Sequence, residues 1–254
     1  DSPWYHPPPQ STGKNWGLLT PGAWKDGSWR KQASVTGTWG GARNTLFEDY
    51  GVAFAGGYGS QISSNPVGGK THNVVNVQGL GLSLFADLDR MMGWKGGYFV
   101  TSMTTNWGKG LSSQDIGNFF PVQYAQGTPS TRLVQLALVQ NIFDNTAEIA
   151  LGRLVMANDF GGSAGFCASV NQVVCSTPIS ATKAVSFGTF PYGTWGGRIK
   201  ARPGRSWYAQ VGVYAAYPDF RNPKDHGVKF GLPKNAGPLL LVEGGWIHGS
   251  WLLE

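Results

Sequence analysis

From Val74 to Arg90 the side chains alternate, with Leu80, Leu82, Leu84, Ala86 and Leu88 on one face and Gly79, Gly81, Ser83, Phe85, Asp87 and Asp89 on the other. A period of two marks a β-strand whose two faces meet different surroundings. The same period runs through 52–63, 97–107, 131–142, 146–157, 192–203, 206–217 and 237–248, so about eight strands are predicted after Gly51. Upstream, Ala42, Leu46, Phe47 and Tyr50 recur at helical spacing and Gly51 supplies a stop, which predicts one short amphipathic helix. Residues 1–38 are rich in Pro, Gly, Ser and Trp without a sustained period and read as an extended arm.

The predicted connections alternate in length. Met91–Gly96, Asp144–Thr146 and Arg202–Arg205 are tight, whereas 108–130, 158–191 and 218–236 are long. Antiparallel hairpins with short turns at one end and long loops at the other are the signature of an outer-membrane barrel. Face chemistry agrees: Trp207, Ala209, Val211, Val213 and Ala215 oppose Ser206, Tyr208, Gln210, Gly212 and Tyr214, and Trp195, Gly197, Ile199 and Ala201 oppose Thr194, Gly196, Arg198, Lys200 and Arg202. A soluble barrel would carry the same alternation turned inside out. The loop pattern and the tryptophans near strand ends, Trp94, Trp107, Trp195 and Trp207, favour the lipid-facing form with interfacial aromatic girdles. Read as ordinary core residues, those tryptophans would favour neither form.

Composition narrows the classes further. Only 13% of the 254 residues are charged and 13% are aromatic, against about 25% charged in an ordinary soluble domain. The 38 Gly and 15 Pro exclude a coiled coil or long helical bundle. A transmembrane helix needs roughly 18 consecutive apolar residues, and the longest charge-free stretch, Phe160–Thr182, is full of Ser, Asn, Gln, Thr and Pro. The start at Asp1 reads as a mature, processed terminus. The net charge of +6 resides in Arg198–Lys234, where Arg198, Lys200, Arg202, Arg205, Arg221, Lys224, Lys229 and Lys234 outweigh Asp219 and Asp225. No nucleic-acid motif accompanies that charge, so no nucleic-acid partner is expected.

Two cysteines, Cys167 and Cys175, lie within one predicted loop. Their closeness in a chain with no other Cys points to a disulfide and an oxidising compartment, the alternative being two free buried thiols. No His lies near them, so a metal site is not expected. Gly161-Gly162-Ser163-Ala164-Gly165 matches the nucleophile-elbow pattern, with His226 and His248 downstream. The strand-turn-helix context which that chemistry requires is missing, and no enzyme is predicted.

The residues also carry a family likeness. Thr38-Trp39-Gly40-Gly41-Ala42-Arg43-Asn44-Thr45-Leu46 followed by Gly51-Val52-Ala53-Phe54-Ala55-Gly56-Gly57-Tyr58 resembles the opening of the carbohydrate-selective porin (OprB) family. Leu84–Asp89 before Gly93-Trp94-Lys95-Gly96-Gly97, then Thr131-Arg132-Leu133, Glu148–Arg153, and Tyr192–Arg198 with Arg202-Pro203 and Trp207-Tyr208 continue the likeness in order, over about residues 37–248. The resemblance implies an all-β, antiparallel transmembrane barrel of sixteen strands, with a short N-terminal helix, that passes sugars through a constriction of charged and aromatic side chains. It implies a Gram-negative outer-membrane location, carbohydrate and outer-membrane lipids as partners, a homo-oligomer as one assembly, and no cofactor. The cysteines and the Pro-rich arm depart from the family pattern. Residues 1–50 are assigned to arm and helix and 51–254 to the barrel, and since about eight strands cannot make sixteen, the chain is expected to be the N-terminal part of a longer protein.

The pore-lining and substrate candidates are Arg132, Glu148, Arg153, Arg198, Lys200 and Tyr208. Charges facing lipid at mid-depth cost roughly 2–4 kcal/mol, which pushes such residues toward the lumen or a rim. Asp87, Asp89 and Arg202 adjoin short turns and read as rim residues. Arg153 shares parity with Ile149 and Leu151, so either a bulge at Gly152 turns it inward or it lies at a rim. Arg198 and Lys200 are expected on the lumen face, opposing acidic groups such as Glu148 across the pore, with Tyr208 offering a ring to a sugar. A closed barrel of only eight strands would instead be filled by side chains, a plugged surface or adhesion protein.

Cys167 and Cys175 should resist alkylation in the native protein and react only after reduction. Intact mass before and after reduction checks this, and two thiols alkylated at once would refute the bond.

Overall fold

Eight antiparallel strands follow one another around a single sheet in chain order, each hydrogen-bonded to the next. The computed structural model describes residues 39–118, 121–123, 129–144, 146–161, 181, 186–202 and 207–246. The strands are β1 (Val52–Ser64), β2 (Val74–Asp87), β3 (Gly97–Gly108), β4 (Ser130–Ile142), β5 (Ala147–Leu154), β6 (Thr194–Ala201), β7 (Trp207–Ala216) and β8 (Gly237–Trp246). Among the described residues three short α-helices accompany them, α1 (Ala42–Tyr50), α2 (Leu88–Met92) and α3 (Met156–Asp159), with further helical turns at Ser112–Ile116 and Pro218–Arg221. All of the predicted strands and the predicted helix are present. The cysteine pair, Ser163, His248 and residues 1–38 lie outside the described residues.

Several predicted ends move, for local reasons. The alternation of β2 was read through Arg90, yet the strand stops at Asp87, whose carboxylate accepts from the backbone N–H of Asp89 (3.0 Å) and Arg90 (3.3 Å) and so caps α2. β5 stops at Leu154 rather than 157 because Met156 opens α3. β6 begins at Thr194, after Pro191 and Gly193.

One face of the sheet is apolar and exposed. Leu80, Leu82, Leu84, Met103, Leu138, Leu151, Ile199, Val211, Val213, Leu240 and Val242 all lie on it at the surface. Register joins them into a belt: Leu82 pairs with Met103, Leu138 with Leu151, Ile199 with Val211, and Val211 with Val242. The opposite, inner face is covered in part by the chain itself. Near the short-connection end, Phe47 of α1 packs on Ala53, Ala55 and Phe85. Further along, Met156, Ala157, Phe160 and Phe187 pack on Val100, Val134, Ala137, Ala150 and Tyr214. The inner face is therefore not purely polar, as the alternation had suggested, because the root of the long 155–193 connection folds over it.

Parity slips once, where Ser102 pairs with Gln135 but Met103 pairs with Leu133, leaving Val134 as an extra residue in β4. This bulge lets Arg132 and Val134 share the buried side with Ala137 and Val139.

Gly152 tests the ladder. Its φ is +137°, and a Cβ there would stand 2.2 Å from Leu136 O. Gly152→Val should destabilise the folded full-length protein by about 2–3 kcal/mol from backbone strain and clash, read as a lowered urea midpoint. Gly81→Ala, whose Cβ would meet nothing nearer than 3.9 Å, should be neutral within about 1 kcal/mol.

Candidate functional site

Tyr98, Glu148, Arg198, Lys200, Tyr208, Gln210 and Glu243 come from five strands, β3 and β5 to β8, and meet on the inner face. The ladder brings them together: Glu148 pairs with Lys200, Lys200 with Gln210, and Gln210 with Glu243. Tyr98 OH donates to Glu148 Oε2 at 3.0 Å. Arg198 Nη2 donates to Glu148 Oε1, and Arg198 Nε stands 2.7 Å from Asp159 Oδ1. Tyr208 OH and Gln210 Nε2 both donate to Glu243 Oε1, at 2.7 and 2.9 Å. Lys200 Nζ lies over the Tyr208 ring, 5.5 Å from its centroid.

Asp159 is the residue that sequence reasoning missed and that ties the group together. It ends α3, on the chain folded over the inner face, and its backbone oxygen accepts from Gln210 Nε2 at 2.6 Å. Two residues on, Gly161 N–H donates to Glu243 Oε2. Burial pushes the Asp159 carboxyl up from its ordinary range, against the opposing pull of Arg198. The side chains of Arg198 and Asp159 are only 10% and 9% exposed, whereas Glu148 is 23% exposed. Arg198 is thus the enclosed hinge of the group, while Glu148, Lys200, Tyr208 and Glu243 remain partly open. Parity on β3 and β8 would have revealed Tyr98 and Glu243, but nothing periodic marks Asp159.

The geometry corrects one expectation. Glu148 does not face Arg198 and Lys200 from across the molecule; it sits beside them on the adjoining strand. Their pairing is lateral because neighbouring residues on a ladder stand only about 5 Å apart.

Arg132 and Arg153 stand apart from this group, each 1% exposed. Arg132 donates through Nη1 to Phe220 O (3.1 Å) and through Nη2 to Asn222 O (2.7 Å), and its guanidinium lies 4.8 Å from the Tyr192 ring centroid. Arg153 Nε donates to Leu133 O at 3.1 Å. No register slip occurs at Gly152, so Arg153 lies at the rim, the second of its two sequence alternatives, close under Gly227. Asp87 and Arg90 form an ion pair at the short-connection end, 3.6 Å apart. His226 is spent on structure, its Nδ1 standing 2.7 Å from Thr131 O.

Chemically, the partly open members of the group present both donors (Lys200, Tyr208) and acceptors (Glu148, Glu243) along one wall. Among the described residues no cluster of His, Cys, Asp and Glu of metal-binding form occurs.

Asp159→Asn should lower stability, because it removes one of two counter-charges from an enclosed guanidinium. With Glu148 remaining, the loss should fall near the low end of the about 3–5 kcal/mol typical of a broken buried pair. Urea unfolding of the full protein in detergent checks this, and an unchanged midpoint would show that the pair is solvated.

The family model for the carbohydrate-selective porin, OprB family, matches residues 71–254. Porin B of Pseudomonas aeruginosa is 31% identical over 222 residues, covering 84% of this chain and 48% of that protein. The structure of Pseudomonas putida OprB at high pH superposes with a TM-score of 0.77 over 84% of this chain and 51% of its own, at 24% identity, and carries the fold comparison alone. The chain spans about half the length of these relatives. The family-model match over residues 71–254 and the identity to Porin B agree: this chain belongs to the carbohydrate-selective porin, OprB family.

Proposed function

We propose that this chain builds one wall of a Gram-negative outer-membrane channel through which carbohydrates diffuse passively. Residues 1–50 then supply arm and helix, and 51–254 belong to the barrel. The observation that carries the reading is the contrast between the two faces of one sheet. The outer face is an exposed aliphatic belt, and the inner face bears the Tyr98–Glu148–Arg198–Asp159 and Lys200–Tyr208–Glu243 contacts.

The dimensions support it. Trp94, Trp207 and Trp246 lie at the short-connection end, Trp107 and Trp195 at the other. Gly97 to Trp107 is ten residues along β3, about 33 Å, and a strand tilt of about 40° reduces this to about 25 Å, the height of the apolar band in such barrels. Trp107 and Tyr58 stand 6.4 Å apart between ring centroids and make one aromatic corner of the upper girdle.

The chemistry of the wall suits neutral sugars. Arg198 is paired with Glu148 and Asp159, and Lys200 stands opposite Glu148 on the ladder, so donors and acceptors are dense while the local field is nearly balanced. A hydrated ion gains little from such a wall, whereas a sugar exchanges its water for hydroxyl contacts with both kinds of group. Glu148, Lys200 and Tyr208 act at the open side, Arg198 positions Glu148, and Arg132 and Arg153 hold the rim above them.

Planar-bilayer recordings of the full-length protein test the reading. It should conduct, and added sugar should block its ion current. Arg198→Gln with Lys200→Gln should weaken that block and shift selectivity toward cations, because Glu148, Asp159 and Glu243 are left uncompensated. Unchanged block and selectivity would remove these residues from the filter. A folded, inserted but silent protein would favour the plugged surface barrel.

A further inference from the structure

The connection between β7 and β8, residues 217–236, crosses the rim of the sheet from its inner to its outer side. Its inner part, a helical turn at Pro218–Arg221, buries Phe220 and is held by Arg132. It then reaches the part of β4 that extends beyond the end of β5, where Leu133 N–H donates to His226 O at 2.8 Å. Finally it emerges beside Trp195, on the outer face of β6. Trp195 Nε1 donates to Lys229 O at 3.1 Å, and the Trp195 and Phe230 rings lie 5.7 Å apart.

This course presents three apolar side chains outward: Val228, Phe230 and Leu232, exposed by 59, 70 and 67%. Lys224 precedes them, Lys229 lies between Val228 and Phe230, Lys234 follows, and all three lysines are exposed. Among the described residues none of these lysines forms an ion pair. The nearest acid in sequence, Asp225, has its carboxylate turned to Gly227 N–H at 3.0 Å. The strap joins β7 to β8 yet leaves a large apolar surface uncovered, with one cation within it and one at each end. It sits above the aliphatic belt, two strands in from β8, the last of the described strands.

We propose that Lys224–Lys234 is a lipid clasp: Val228, Phe230 and Leu232 enter the outer leaflet, and Lys224, Lys229 and Lys234 bind the anionic phosphate of a lipid headgroup. The proposal rests on the reading of the chain as a membrane barrel. Apolar side chains interleaved with long basic ones suit the boundary between acyl chains and headgroups, where the lysine stems lie along the lipid and the ammonium groups reach phosphate. A second copy meeting this strap across a two-fold axis would bring lysine against lysine, so charge favours lipid.

The test uses the full-length protein in nanodiscs of phosphatidylcholine with a minor share of phosphatidylglycerol, with retained lipid counted by native mass spectrometry. The wild type should retain phosphatidylglycerol in preference. K224Q/K229Q/K234Q should bind it at least about tenfold more weakly, K224R/K229R/K234R should retain it, and V228S/F230S/L232S should lose it. Channel conductance should survive in all of them. Equal retention by wild type and Gln variant overturns the clasp, as does preference lost in the Arg variant. Full displacement by inorganic phosphate would make the site one for free phosphate and also overturn it, and a change of oligomeric state without a change in lipid would assign the strap to a second copy. A protein that enters no bilayer refutes the barrel reading itself, an outcome distinct from an inserted, conducting protein without lipid preference.

Discussion

The β ladder permits each residue only one side of the sheet, and the rest of this structure depends on that restriction. Backbone groups along β2 to β7 are spent on strands at both sides, and β1 and β8 pair at one side, so which face a side chain meets is decided by parity. Ile199 and Arg198 are adjacent in sequence, yet one lies in the exposed belt and the other in the most enclosed ion pair on the opposite side. A slip of one residue would exchange them, placing a guanidinium in the aliphatic belt. The bulge at Val134 uses the same rule in reverse, moving Arg132 to the side where the strap can be held.

Electrostatics on the inner face follows from adjacency on the ladder. The eight basic residues between Arg198 and Lys234 form one cluster in sequence but not in space. Arg198 and Lys200 join the inner group, Arg202 directly follows β6, Arg221, Lys224, Lys229 and Lys234 ride the strap, and Arg205 lies outside the described residues. A net charge of +6 therefore does not describe a basic surface. The inner cations are met by acids on adjoining strands and on α3, and the excess positive charge is displaced toward the rim.

Much of the fold was legible because its elements obey short periods. Val74–Asp87 shows its faces by alternation, and Ala42–Tyr50 shows its helix by spacing and by the Gly51 stop. The opening motif and the ordered fragments after it were specific enough to indicate the family. Legibility failed where one segment's position depends on another far away. Asp159 follows the end of a strand without a pattern, and its role exists only because α3 folds back onto β6 and β7. The sequence presents Arg132 as a lumen charge and Arg153 as a lumen or rim residue, and both are enclosed beneath residues 70 or more positions downstream. The lateral placement of Glu148 was legible in principle, since β5 and β6 were predicted neighbours, but their register was not.

Four carbonyls of the strap are gripped by the scaffold, while Phe220 is buried and the Arg221 and His226 side chains meet Phe187 O and Thr131 O. Arg132 holds the carbonyls of Phe220 and Asn222, Leu133 N–H holds that of His226, and Trp195 Nε1 holds that of Lys229. A carbonyl is common to every residue, so these bonds place few demands on side-chain identity. Gly227 is the exception: its φ is +75°, and a Cβ there would lie 2.3 Å from Leu133 O. One glycine, a few scaffold donors and the inward side chains before that glycine thus preserve the path of the strap, and the exposed side chains after Gly227 can change more freely. The rim is thereby open to rapid evolutionary divergence, and related channels can differ in what their outer edge meets without redesigning the wall that supports it.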